Sequence, residues 1–256
     1  MTAWRAERQK TSLGLGGQVT DLREVMNAIL YVNHTGIPWR YLPHDFPPPS
    51  TVFSYFSTWT ADGTIENLGV RLRRRVREQV GRTAEPTACV IDAQSVKTAH
   101  SVPSSTQGID AGKKIVGRKR SIVVDTLGLL LLVTVTAASV SDNDAGKQLL
   151  TRIAVAHPTI TKAWVDTGYK TRAIERGAAL GIDVDVVPRN TQVKGFSVVP
   201  RRWVVERTFG WIMMHRRLAR DYETKPAHSE SMIRLAMISN LLKRATGEST
   251  ITWHNP

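Results

Sequence analysis

Arg201-Arg-Trp-Val-Val-Glu-Arg-Thr-Phe-Gly-Trp-Ile-Met-Met-His-Arg-Arg-Leu218 is the stretch whose reading decides the fold. One acid, Glu206, stands among five arginines and a run of large apolar residues. At about 100° per residue, Arg202, Glu206, Gly210, Met213 and Arg217 fall within a sector of roughly 80°, while Val204, Trp211 and Leu218 form one apolar stripe and Val205, Phe209 and Ile212 another. A helix apolar on most of its circumference is buried. This one would carry a single carboxylate on a core helix, with Gly210 one turn further leaving room for approach. Two readings fit these residues: an Arg202–Glu206 ion pair at i,i+4, or a carboxylate that acts with partners elsewhere in the chain.

Two candidate partners stand at the ends of apolar runs. Ala88-Cys-Val-Ile-Asp-Ala93 reads as a buried strand closing on Asp92, and Thr161-Lys-Ala-Trp-Val-Asp-Thr-Gly168 as another closing on Asp166. Either aspartate alone fits a turn or a cap. If the strands are neighbours and the helix packs across them, three carboxylates converge. Such a cluster repels itself and raises its own pKa values unless something positive joins it. Hard divalent cations with oxygen ligands, Mg²⁺ or Mn²⁺, suit it. Two ions about 3.5–4 Å apart would activate an attacking oxygen and stabilise the leaving one in an in-line phosphoryl displacement.

Upstream, residues 1–20 lack periodicity and are expected to be poorly ordered. Thr20 or Asp21 can cap a helix through Asn33 with Leu22, Val25, Met26, Ile29 and Leu30 on its apolar face. Prolines between Ile37 and Ser50 break it, and Ser50 can cap a second helix from Thr51 to Thr60 carrying Phe53, Tyr55, Phe56 and Trp59. A third, from about Thr64 to Gly81, holds Arg71, Arg73, Arg74, Arg75 and Arg77. These arginines fit either a solvated face or a helical DNA-binding module. Glu85-Pro86 reads as a linker.

After the Asp92 strand, Ser95 to Lys114 reads as a loop. Two antiparallel strands follow, 117–125 and 129–136, joined by a tight turn at Asp125 to Gly128. Ser141-Asp-Asn-Asp144 caps a helix to about His157, a helix to Leu180 follows the Asp166 strand, and Ile182 to Val187 is a fifth strand. A basic loop runs from Pro188 to Pro200, and a last helix from Ser229 to Thr246 ends at Gly247. The order predicts a mixed-sheet α/β domain behind a helical one, with no internal repeat.

Composition sets bounds on function. The chain has 256 residues, 41 % of them apolar and 22 % charged, which is globular. Its 35 Lys and Arg against 22 Asp and Glu leave a formal charge of +13, favouring a polyanionic partner, nucleic acid before an anionic membrane surface. The single cysteine, Cys89, excludes an internal disulfide. The longest apolar run, 127–140, is too short to span a bilayer, and the N-terminus has no apolar signal core. A cytoplasmic protein is expected. Seven histidines show no i,i+4 zinc spacing, and there is no Gly-x-Ser-x-Gly elbow. The segment Gly108-Ile-Asp-Ala-Gly-Lys-Lys114 is not a phosphate loop, being one residue short between its glycines and lacking the following Ser or Thr. The basic run Lys113, Lys114, Arg118, Lys119, Arg120 reads as a phosphate-contacting loop and strand. Trp203 and Trp211 read as core, and Trp164 as strand packing.

Ile91-Asp-Ala-Gln-Ser-Val-Lys97, Gly117-Arg-Lys-Arg-Ser-Ile-Val-Val-Asp-Thr-Leu-Gly128, Val165-Asp-Thr-Gly-Tyr169, Arg202-Trp-Val-Val-Glu-Arg-Thr-Phe-Gly-Trp211 and Arg216-Arg-Leu-Ala-Arg-Asp-Tyr-Glu223 closely resemble bacterial insertion-sequence transposases of the DDE class, in the IS-five-like group. The resemblance covers about residues 20 to 248. It implies an RNase H-like catalytic domain, a mixed five-stranded sheet flanked by helices over 87–248, with Asp92, Asp166 and Glu206 as catalytic, metal-binding triad. Thr35-Gly-Ile-Pro-Trp-Arg-Tyr-Leu-Pro43 resembles part of the same group's N-terminal helical domain, here 21–86; 249–256 is a tail. Two Mg²⁺ or Mn²⁺ ions, terminal inverted-repeat and target DNA, and a homodimer on DNA are implied with it. Arg71, Arg73, Arg74, Arg75, Lys113, Lys114, Arg118, Lys119, Arg120, Arg202, Arg207, Arg216 and Arg217 are then the expected DNA contacts. Val199 and Met213 depart from the wider superfamily, which often has a tyrosine and a basic residue there, and residues 1–19 do not look like the group's usual beginning. Two other activities stay open: a structure-specific nuclease on the same acids, and a catalytically inactive DNA-binding remnant.

Overall fold

Asp21 accepts a hydrogen bond from the Arg23 N–H (2.8 Å) and so caps α1, Leu22–Thr35; Gly36, at φ 77°, lets the chain turn out of it. These elements belong to a computed structural model that describes residues 6, 21–188 and 201–248. The poor order expected of 1–20, most of the basic loop before Pro200 and the tail 249–256 lie outside the described residues. Helix α2, Pro49–Ala61, begins one residue before Ser50, because proline at the first helical position needs no N–H partner and carries a helical φ already. Helix α3 is Thr64–Gln79.

The sheet follows. Strand β1, Ala88–Lys97, runs antiparallel to β3, Ile115–Asp125, through nine partners from Cys89↔Asp125 to Lys97↔Gly117. The far edge of β3 pairs first with the short β2, Gly108–Asp110, and then with β4, Leu130–Ala137. On the other side β1 runs parallel to β5, Lys162–Val165, and β5 to β6, Asp183–Val186. Helix α4, Asp142–Ala156, capped by Ser141, and α5, Arg172–Ala179, provide the crossovers. Helices α6, Trp203–Met213, and α7, Pro226–Thr246, close the described chain. The expected class, a mixed α/β sheet flanked by helices behind a helical segment, is what the structure shows, with β2 as a sixth strand.

Alternation along β1 divides the core. Val90, with Ile122, Val124, Val133 and Val135, packs on α1 to α3, α6 and α7, while Cys89 and Ile91, with Val123 and Leu132, pack on α4 and α5. The N-terminal helices thus share one apolar cluster with the sheet. Asp125 anchors the junction: its fully buried carboxylate accepts from the Leu127 and Leu129 N–H groups, each at 2.9 Å, and pairs with buried Arg77 of α3.

Three sequence expectations are corrected. Asp92 lies in the middle of β1 rather than at its end, because β3 continues the pairing to Lys97; only the parallel neighbour β5 stops, at the Trp164 partner of Val90. The supposed loop after Ser95 contains the end of β1 and all of β2. Helix α6 ends at Met213, and Arg216–Leu218 form a separate short 3-10 turn, so Arg217 leaves the polar sector shared with Arg202 and Glu206.

Candidate active site

Because β5 stops level with Val90, the next outward side chain of β1 on that face, Asp92, opens toward α6. Asp166, the residue after β5, is level with it. Between them stands Arg202, the residue preceding α6: its Nη2 lies 3.4 Å from Asp92 Oδ2 and 3.9 Å from Asp166 Oδ2, and its Nη1 donates to the Val187 carbonyl at 3.3 Å. The guanidinium is buried, so it is held there rather than swept by solvent. Arg202 is therefore paired with the two aspartates, and the i,i+4 reading of Arg202 with Glu206 is not what forms.

Each aspartate is fixed by its own local backbone. Asp92 Oδ1 accepts from the Ala93 N–H at 2.7 Å, and Asp166 Oδ1 from the Gly168 N–H at 2.8 Å. Burial pushes the Asp92 carboxyl up from 3.8 to about 6, with the Asp166 charge adding to the rise, against the opposing pull of Arg202, the Ala93 N–H and Lys113. The folded chain consequently binds a proton at Asp92 that the unfolded chain has lost. Stability falls as pH rises from about 4 to about 6, and the deficit is complete above that window. Asp92→Asn is expected to melt higher than the native chain at pH 7.5 in EDTA, with the difference disappearing near pH 4; a thermal melt series across pH reads it.

Glu206 lies in the first turn of α6, one turn beyond Arg202, half-buried, where the helix N-terminus favours a negative charge. Among the described residues it makes no ion pair, and no three His, Cys, Asp or Glu side chains there stand close enough to hold one ion together. The structure thus brings Asp92 and Asp166 together and leaves Glu206 alongside.

The expected DNA-contacting residues divide by burial. Lys113, Lys114, Arg71, Arg74, Arg75 and Arg216 are exposed, and Lys113 Nζ donates to the Ala93 carbonyl at 3.3 Å, beside Asp92. Arg207 is half-buried, with its guanidinium over the rings of Trp203 at 4.3 Å and Trp211 at 4.6 Å. Trp203, expected in the core, is 39 % exposed, whereas Trp211 and Trp164 pack against the core as expected. Arg73, Arg118, Lys119, Arg120 and Arg217, like Arg202, are buried, and an interior charge must be matched by protein groups. Arg118 Nη1 donates to the Glu223 carbonyl at 2.6 Å and stands 3.3 Å from Asp221. Arg120 Nη1 donates to the Leu218 carbonyl at 2.7 Å, and Arg217 Nε to Glu223 Oε1 at 2.8 Å. Arg73 Nη1 donates to the Leu130 carbonyl at 3.3 Å. Lys119 Nζ donates to Asp142 Oδ1 at 2.9 Å. Arg73, Arg118, Lys119 and Arg120 clamp the sheet to α3, to the segment 218–224 and to α4, while Arg217 ties that segment to itself and to the Ile37 carbonyl.

Sequence reading missed two residues here. Asp142 is read there only as part of the Ser141–Asp144 cap and Tyr169 only as the last residue of the Asp166 motif; the sequence signals are that Asp142 lies five residues beyond the end of β4 and that Tyr169 stands three places after Asp166.

Among the described residues no helix is long and apolar enough to cross a membrane. A comparison with curated proteins finds no match. Among solved structures, the Drosophila P element transposase strand transfer complex is similar at a TM-score of 0.37 and 15 % identity, over 70 % of this chain and 44 % of that one; the chain therefore spans less than half the length of that relative. Residues 3–68 match the family described as putative transposase of IS4/5 family, so the likeness begins well before Asp21, where the motifs alone suggested a departure. With residues 83–241 matching the transposase DDE domain, a span that includes Asp92, Asp166 and Glu206, the chain belongs to the DDE transposases of the IS4/5 type.

Proposed function

We propose that the chain cuts phosphodiesters at the ends of a mobile DNA element and joins the freed 3′-hydroxyl to target DNA, with Asp92, Asp166 and Glu206 as the acids of the reaction. The observation that carries this reading is the convergence of Asp92 and Asp166 on one guanidinium, with Glu206 one helical turn further along the same helix. A pair of carboxylates held this close needs a positive centre, which Arg202 supplies here and a bound cation would supply in its place. Their hard oxygen donors fit Mg²⁺ or Mn²⁺, which would be held by Asp92 and Asp166 together with Glu206. When bound, the ions supply charge stabilisation at the attacking and leaving oxygens. The chain's own residues hold the acids and the DNA. The Ala93 and Gly168 N–H groups orient the two carboxylates, Arg202 is positioned to move from them to a phosphate, and Lys113, Lys114, Arg207, Arg216, Arg71, Arg74 and Arg75 present exposed or half-exposed cations to the backbone. The DNA-bound form is proposed to be a homodimer acting in the cytoplasm.

The test is a cleavage and joining assay of the purified chain on DNA carrying the element's terminal inverted repeats, with Mg²⁺, Mn²⁺ or EDTA. Joined products that require the metal support transposition. Metal-dependent cuts without joined strands would make the chain a nuclease. Salt-sensitive DNA binding with no turnover would make it an inactive remnant.

A further inference from the structure

Asp142 reaches the same cleft from the opposite side of the sheet. It opens α4, but Ser141 is the cap, accepting from the Asp144 N–H, so Asp142's carboxylate is not needed for that task. Its Oδ1 accepts from Lys119 Nζ, an ammonium also fixed on the Val140 carbonyl at 2.8 Å. Its Oδ2 faces Asp166: a methyl group placed on Gly168 would sit 2.9 Å from both Asp142 Oδ2 and Asp166 Oδ1. The absence of a side chain at 168 is what leaves the space between those two oxygens open.

Tyr169 adds an independent observation. It is fully buried, its ring packed so tightly on α4 that a Cβ at Gly146 would meet Cδ1 at 2.6 Å. Its hydroxyl is buried yet has no hydrogen-bond partner among the described residues. Burial first, and then the charges of Asp92, Asp142 and Asp166, hold the phenol well above its ordinary pKa, against the opposing pull of Arg202.

Building on the reading of Asp92 and Asp166 as a metal-dependent phosphoryl-transfer site, we propose that Asp142 is a further ligand of that site: Asp142 Oδ2 and Asp166 Oδ1 take one hydrated divalent cation between them, and the Tyr169 hydroxyl bonds to its shell. Mg²⁺ characteristically uses one or two carboxylates and keeps several waters, which agrees with the absence of any three-ligand cage among the described residues. Lys119 then serves as the positioning residue for Asp142, which is why a lysine in a sheet strand is buried rather than offered to DNA.

Mn²⁺ is the probe, because its binding can be followed without DNA or turnover, by the loss of its free electron paramagnetic resonance signal. Asp142→Asn is expected to weaken Mn²⁺ binding by about 10-fold or more, and Tyr169→Phe by a few-fold. Asp142→Cys should bind Mn²⁺ poorly but Cd²⁺ more tightly than the native chain, since a thiolate prefers the softer ion; a structural role for Asp142 would give no such exchange. Mn²⁺ affinity within two-fold of native in Asp142→Asn, alongside its loss in Asp166→Asn, would overturn the assignment of Asp142 while leaving the function intact. Should the native chain bind no Mn²⁺ and cut no DNA, the reading of the whole site fails, and this assignment with it. Circular dichroism and melting in EDTA identify any variant that has failed to fold, for which the cysteine variant substitutes.

Discussion

Asp166→Asn lowers metal-dependent DNA cleavage by about 10³-fold, equivalent to roughly 4 kcal/mol of activation free energy, and leaves the fold in place. The reason for expecting both at once lies in how Asp166 is held. Its Oδ1 accepts the Gly168 N–H that shapes the turn after β5, and an amide oxygen accepts that bond equally well. Oδ2 is the oxygen 3.9 Å from Arg202 and the one that the amide replaces with a donor nitrogen. The substitution thus keeps the turn and removes the negative charge that the two carboxylate oxygens share, so a hard cation is held more weakly without the backbone having moved. Initial rates on inverted-repeat DNA in Mg²⁺, with a melting curve beside them, read the two effects separately. A variant that cuts within ten-fold of the native rate would take Asp166 out of the catalytic set. A large loss of melting temperature would instead mean that the charge was structural.

Asp125→Ala removes about 3–5 kcal/mol of the chain's stability. Asp125 is fully buried and serves three partners at once: the Leu127 and Leu129 N–H groups of the β3–β4 turn and the guanidinium of Arg77, itself buried. Deleting the carboxylate leaves two amides without their acceptor and a buried cation without its counter-charge, a situation that costs about 3–5 kcal/mol. Domains of this size have about 5–15 kcal/mol in total, so one side chain decides whether α3 stays on the sheet. Urea unfolding measures the loss. The double variant Arg77→Met, Asp125→Leu should recover much of it, because an apolar pair has no uncompensated charge to bury. A single-variant loss below about 1 kcal/mol would show that the two amides and Arg77 find solvent or other partners when the carboxylate is gone.

Elements with a local cause were legible before any coordinates. Asp21 and Ser141 as caps, Gly247 as an end, and the hairpin turning at Asp125 depend on residues meeting their own backbone within a few positions. Glycine at such an end relieves the Cβ clash of a left-handed conformation, which any composition of the rest of the chain would leave unchanged. What failed was boundary and partner. The apolar run of β1 ends at Ala93 because Gln94, Ser95 and Lys97 are polar, yet β3 supplies their backbone hydrogen bonds across nine register pairs. Helix α6 was carried on to Leu218 because its apolar periodicity persists through Met213, while the chain in fact turns there to place Arg217 against Glu223. A hydrophobic repeat says which face would be buried and nothing about where the neighbouring layer ends.

Charge shows the same limit most sharply. By itself the sequence determined a mixed α/β chain with a basic surplus, two acids at strand positions and a third on a core helix, because periodicity, caps and composition are properties of a one-dimensional string. Which arginines are surface and which are interior was decided only by the tertiary structure. In the run from Arg71 to Arg77, Arg71, Arg74 and Arg75 look outward while Arg73 and Arg77 are swallowed by Leu130 and Asp125, residues more than forty places away. So was the partner of Arg202, which in sequence is four residues from Glu206 and in space lies between Asp92 and Asp166. So too was the approach of Asp142 to Asp166 across Gly168. A guanidinium or carboxylate reaches several ångströms, and the groups within that reach are set by how layers stack, not by their order along the chain.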